Sequence, residues 1–120
     1  MTLTVIPSDD TNMTVPEPGL RRQVMAESAP MMLVRHRMES GWVGAAHSHP
    51  HEQLIYVVSG EIALTVDGET YTLHAGDSVM VPGDVVHQAS AAVESEVLDV
   101  FTPARDEYRV LRTVLDASRS

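Results

Sequence analysis

The chain has 120 residues, 43% of them hydrophobic, which is one domain of ordinary size with enough apolar surface for a core. It carries 17 acids against 8 bases, a net charge of -9, and every base is Arg, with no Lys and no Cys in the chain. Those absences exclude Schiff-base and PLP chemistry, a P-loop lysine, a thiolate nucleophile, iron–sulfur clusters, Cys-ligated zinc and disulfides, and the acidic balance argues against nucleic acid. A metal site built from His and oxygen ligands stays open, so the six His residues are what the chain must be searched for.

The opening MTLTVIPSDDTN has no basic n-region, and no stretch reaches 18 apolar residues. The expectation is a soluble cytoplasmic protein with no membrane partner. Residues 1–30 hold Pro7, Pro16, Pro18 and Pro30 and show little periodicity. They read as an extended arm with one or two short strands, either a loose tail or an arm that covers a sheet edge or crosses to a second subunit. From Met31 the pattern is all-β. MMLVRHRM alternates enough for a strand, Gly41 to Gly44 is a turn region, and LIYVVSG is an apolar run closed by Gly60. EIALTV puts Ile62, Leu64 and Val66 on one face. Asp67-Gly68 then supplies a two-residue hairpin turn, and ETYTLH is the return strand. SVMVPGDVVHQA reads as strand, turn and strand, and EVLDVF as a last strand. Short strands with turn signals at this spacing indicate a sandwich or barrel, here over 31–102. In 103–120, Thr102-Pro103 reads as an N-cap followed by Pro at the first helical position, and Tyr108, Leu111 and Leu115 recur at helical spacing. A short amphipathic helix over about 104–116 is expected, packed outside the barrel.

His47 and His49 lie two apart in HSHPHEQ, so on a strand they project to one face, and Gln53 keeps that parity. Imidazoles with one amide oxygen suit a first-row metal. His87, in PGDVVH, completes the set if its strand lies across the barrel. His51 is expected beside these residues or at a cavity rim, His74 in a solvated turn, and His36 facing either cavity or solvent.

Spacing extends the pattern. Gly41 is followed by five residues, His47-Ser48-His49, three residues, Gln53, six residues and Gly60; Gly76 is followed by five residues, Pro82, four residues and His87. This resembles the two motifs of the cupin family over residues 41–91. Three positions depart: Gln53 stands for the usual Glu, Asp84 for a Gly and Ala91 for a terminal Asn. The resemblance implies a double-stranded β-helix, a jelly-roll-like barrel, holding a divalent transition metal (Ni, Mn, Fe, Zn, Co or Cu) through His47, His49, Gln53 and His87. Gln in place of Glu leaves the metal its full charge, which favours Lewis-acid over oxygenase chemistry.

The stretch LDVFTPARDEY puts Asp99 and Phe101 on one strand face, and an inward Asp needs a partner. Together with HSHPHEQ, YVVSGE and the GD-x-x-x-VP stretch, it resembles the small KdgF-type cupins of pectin and alginate breakdown over about residues 31–108. The resemblance implies conversion of 4,5-unsaturated monouronates to linear keto forms, with Asp99, Phe101 and Arg105 in the active site. On that reading the substrate is a small anionic sugar. Asp99 moves protons, Phe101 walls the pocket, Arg105 grips the carboxylate as a bidentate fork, and Arg35 or Arg37 is a second anionic anchor. The other readings are a dioxygenase, another lyase or isomerase acting on a small carbonyl compound, and a non-catalytic sugar-binding module. The apolar strands and the arm point to a homodimer.

Overall fold

The computed structural model describes residues 1–109. A 3₁₀ turn at Asp10–Asn12 precedes ten strands: β1 Thr14–Glu17, β2 Leu20–Ser28, β3 Met31–Met38, β4 Trp42–Val43, β5 Glu52–Ser59, β6 Glu61–Val66, β7 Glu69–His74, β8 Ser78–Val81, β9 His87–Ala91 and β10 Ser95–Thr102. They form a six-stranded sheet, β1-β2-β3-β10-β5-β8, and a four-stranded sheet, β4-β9-β6-β7, and every pairing is antiparallel. This is the jelly-roll sandwich expected from the sequence. The hairpin between β6 and β7 turns on Asp67 (φ 51°) and Gly68 (φ 78°), two positive-φ positions whose twist suits the flanking strands.

Inward-facing apolar side chains fill the space between the sheets, among them Ile55, Val57, Ile62, Leu64, Val81 and Val97. A second cluster joins Val24, Met32, Val34 and Phe101 to Ala104 and Tyr108. The strand β10 lies between β3 and β5, so its inward residues sit in mid-sheet. Strict alternation buries Ser95, Val97, Asp99 and Phe101 and turns Glu96, Leu98 and Val100 outward.

Two expectations change. Residues 14–28 are not a loose arm: β2 is a nine-residue strand paired along β3, and β1 extends the sheet edge. Ahead of them the 3₁₀ turn lies over the outer face of β3, where Asp10 pairs with Arg35 and Arg37. Thr102 is not a helix cap. It ends β10, the Thr102-Pro103 bond is cis, and helical residues begin only at 106. The rest of the helix expected over 104–116, with Leu111 and Leu115, and the tail to 120 lie outside the described residues. Among the described residues no helix is long and apolar enough to cross a membrane.

Candidate metal centre and its cavity

His47, His49 and His87 each bring a ring nitrogen to one point, and these atoms lie within 4.8 Å of one another. The local route differs from the one expected. His47 and His49 are not on a regular strand; His47 forms an isolated bridge with His87, and β5 begins only at Glu52. His87 is therefore the main-chain neighbour of His47, not a residue across the barrel: His47 N donates to His87 O at 3.0 Å and His87 N to His47 O at 2.9 Å. A third bond, Asp84 N to His49 O at 2.7 Å, ties the turn before β9 to the histidine segment.

Each of the three rings spends its Nδ1 on a backbone carbonyl two residues away. His47 meets Ala45 O at 3.1 Å, His49 meets His51 O at 3.0 Å and His87 meets Val85 O at 2.9 Å. Such contacts place the proton on Nδ1 and leave Nε2 as the ligating atom. His87 Nε2 is buried with no hydrogen-bond partner among the described residues. His49 Nε2 faces Gln53 Oε1 at 3.1 Å. With the proton on Nδ1, both of those atoms are acceptors. Burial holds His49 and His87 below the ordinary imidazole range, so the neutral ring is favoured. Two facing acceptors and an orphaned Nε2 are what a shared cation would satisfy, and the donor set fits a divalent transition metal.

From Gln53 a hydrogen-bond chain runs inward. Gln53 Nε2 donates to Asp99 Oδ1 at 2.9 Å, His36 Nδ1 lies 2.6 Å from Asp99 Oδ2, and Arg22 Nε donates to His36 Nε2 at 2.9 Å. Arg22 Nε can only donate, so His36 Nε2 accepts and the ring proton on Nδ1 points at Asp99. Asp99, 3% exposed, thus has both oxygens engaged. A cavity of about 350 Å³ is lined by His47, His87, Gln53, Asp99, Phe101 and Arg105, and also by His36, Arg22, Tyr108 and Trp42. Phe101 lies edge-on to His49 with centroids 5.8 Å apart. The structure therefore gathers the sequence-predicted metal residues, Asp99, Phe101 and Arg105 around one space. Arg105 is not the free fork expected: its Nε and Nη2 meet Glu107 Oε1 at 2.7 and 2.6 Å, and its Nη1 donates to Tyr108 Oη at 2.7 Å.

Comparison with known proteins places the chain. The family model described as "Cupin domain" matches residues 34–101. The chain belongs to the cupin family. Within it the similarity is to KdgF: a pectin degradation protein KdgF from Dickeya dadantii is 30% identical over 92 residues, covering 75% of this chain and 84% of that protein. The solved structure of KdgF from Halomonas sp. superposes with a TM-score of 0.82 at 33% identity, covering 88% of this chain and 99% of that one. An RmlC-like cupin from Shewanella frigidimarina gives 0.78 at 35% identity, covering 84% and 93%.

In this cupin each departure from the family motif has a local account. Gln53 donates to Asp99, which a Glu carboxylate would not do. Asp84 keeps a positive φ of 65°, a conformation Asp tolerates better than most residues. Ala91 ends β9 at 1% exposure, packed in the core and not in a turn. Arg35 and Arg37 are not anion anchors. His36 points inward, so its two neighbours point outward, where Arg35 pairs with Asp10 and Glu96, and Arg37 with Asp10 and Glu94. His74 is exposed beside Glu61. Cavity residues that escaped the sequence reading include Tyr108, Arg22 and Trp42. Tyr108 was assigned only to the apolar face of a helix. Arg22 lay in the supposed arm, although the inward parity of Leu20, Arg22 and Val24 marks it once β2 is recognised.

Proposed function

We propose that this protein is a metal-dependent cupin enzyme that linearises 4,5-unsaturated monouronates to keto-deoxyuronates. The supporting observation is that Asp99, Phe101 and Arg105 line the same cavity as His47 and His87, with His49 and Gln53 directly against it. The KdgF relatives, one of them named for pectin degradation, support the substrate class. His47, His49, His87 and Gln53 would hold a divalent transition metal, which when bound supplies Lewis-acid polarisation of substrate oxygens.

The chain's own groups do the rest. The net change is an isomerisation: a proton leaves the anomeric hydroxyl, the bond from that carbon to the ring oxygen breaks, and the far carbon of the former double bond gains a proton, leaving a ketone. Asp99 is held as an acceptor by His36 and Gln53, so one of its oxygens takes the first proton and returns one to carbon. Phe101, 1% exposed, walls the pocket, and Arg105 adds positive charge over that ring, its Cζ 5.1 Å from the centroid.

The test is ultraviolet absorbance of an unsaturated monouronate with metal-loaded protein. The conjugated enol-ether band should disappear, and Asp99→Ala should slow its loss by roughly 10²–10⁴-fold in protein that still melts cooperatively. A wild-type protein that leaves the band intact overturns the proposal. Oxygen consumption with an organic substrate would instead identify a dioxygenase, and ligand retention without turnover a binding module.

A further inference from the structure

Among the described residues Arg22 is a cavity-lining cation that no carboxylate pairs with directly, although Asp99 and Glu107 act on it from a distance. Its Nε is committed to His36 Nε2, and its guanidinium lies on the Tyr108 ring with Cζ 3.7 Å from the centroid. Among the described residues its two Nη groups have no acceptor, and Arg22 enters no ion pair. The other arginine at the cavity, Arg105, packs on the same ring at 4.3 Å, but all three of its nitrogens are taken by Glu107 and Tyr108. The carboxylate nearest to Arg22 along the hydrogen-bond chain, Asp99, is already engaged on both oxygens. Burying a guanidinium without an anion is unfavourable, and burial pulls Arg22 below its ordinary value. The two anchored sides fix the plane of the group, so its free edge is oriented before any ligand arrives.

We propose that Arg22 is the anion anchor of this cavity, and that its two Nη groups take the carboxylate of a monosaccharide acid as a bidentate pair. The choice of a sugar acid rests on the function proposed above; the anchor itself rests on the unpaired guanidinium. A cavity of about 350 Å³ is at the small end of the roughly 300–1,000 Å³ usual for ligand pockets, which suits a single sugar ring. The anchor also links binding to the acid/base residue. A carboxylate held at Arg22 is joined through His36 to Asp99, so the ligand is set in register with the group that would move its protons.

The chain has one tryptophan, and Trp42 lines the cavity, so its fluorescence reports occupancy. The probes are D-galacturonate, which has no double bond to be opened, and neutral D-galactose, titrated into the metal-loaded full chain. The wild type should bind the acid at least tenfold tighter than the neutral sugar. Arg22→Gln should lose at least tenfold for galacturonate and leave galactose unchanged, and Arg22→Lys, which keeps the charge without the fork, should fall between. Arg22→Gln binding the acid like the wild type, equal loss for both sugars, or a wild type that does not prefer the acid would each overturn the anchor. The absorbance assay separates the two proposals. Arg22-dependent galacturonate binding without turnover of an unsaturated monouronate leaves the anchor and removes the ring-opening reading. Turnover with an unchanged KM in Arg22→Gln does the reverse.

Discussion

Gln53 turns its oxygen toward His49 Nε2 on the metal side and donates its amide to Asp99, so one side chain presents an acceptor to one neighbourhood and a donor to the other. A Glu there would set a carboxylate 2.9 Å from Asp99 Oδ1 and remove the donor, a like-charge contact in a half-buried site. In the metal-free protein, where no cation offsets the added charge, Gln53→Glu should lower stability by about 1–3 kcal/mol, a fall in Tm of about 4 °C or more. Adding Asp99→Asn should recover most of that loss, because the Asn amide donates to the new carboxylate while its oxygen still accepts from His36. Thermal melts of both single variants and the double variant measure the coupling, and strictly additive losses would show that the contact does not matter. The histidines make a separate prediction. His87→Ala removes the buried, unpartnered Nε2 and one of three converging nitrogens, so purified protein should drop from near-stoichiometric metal to a small fraction by elemental analysis. Full metal retention would contradict the triad as the binding site.

At the scale of elements, the site depends on a turn that supplies no ligand of its own. The β8–β9 turn is tied to the histidine segment by Asp84 N donating to His49 O, and at Gly83 the two backbones approach closely: a Cβ there would lie 2.4 Å from Pro50 O. That neighbour is main chain, so the segment carrying His49 must move to admit a methyl group. Gly83→Ala should therefore reduce bound metal severalfold although no donor atom is lost, measured by elemental analysis beside an Asp84→Gly control that relieves a positive φ and should keep its metal. Equal metal in Gly83→Ala and the wild type would show that the turn can shift without moving the ligands. The same elements explain what the sequence disclosed. The donor residues and the Asp67-Gly68 hairpin were legible because turn chemistry and donor spacing are local. The parity of β10 was legible because Val97, Asp99 and Phe101 alternate cleanly with their neighbours. The strand β2 was obscured because Arg21, Arg22 and Gln23 interrupt its apolar alternation, and four prolines nearby suggested an irregular arm. With β2 unseen, the chain Arg22–His36–Asp99 had no first member, and His36 was left between cavity and solvent. The Thr102-Pro103 pair satisfied a capping pattern, but pattern alone does not distinguish a helix start from a strand end that turns through a cis bond.

For the whole molecule, charge and sheet polarity together bear on assembly. An antiparallel sheet that faces water normally turns polar residues outward. Here the outward positions of β5 beyond Glu52 are Leu54, Tyr56 and Val58, with Leu54 between Val100 of β10 and Met80 of β8, and Tyr56 between Leu98 and Ser78. Leu54, Tyr56, Val58 and Met80 are 38%, 43%, 40% and 50% exposed. The 3₁₀ turn covers the β3 end of this face, through Asp10 on Arg35 and Arg37. A chain with a net charge of -9 repels a copy of itself, and this uncharged stripe offers a contact with little repulsion and contiguous apolar area to bury. A two-fold axis through β5 would set the stripe against itself, since a symmetric dimer needs a self-complementary patch. The expected particle is a homodimer of twice 13.1 kDa by light scattering. Tyr56→Asp should convert it to a monomer, and because Tyr56 points away from the face that carries Gln53 and Ile55, metal content should not change. A wild type that scatters as 13.1 kDa at micromolar concentration would rule the dimer out, and a dimeric Tyr56→Asp would move the interface to another surface.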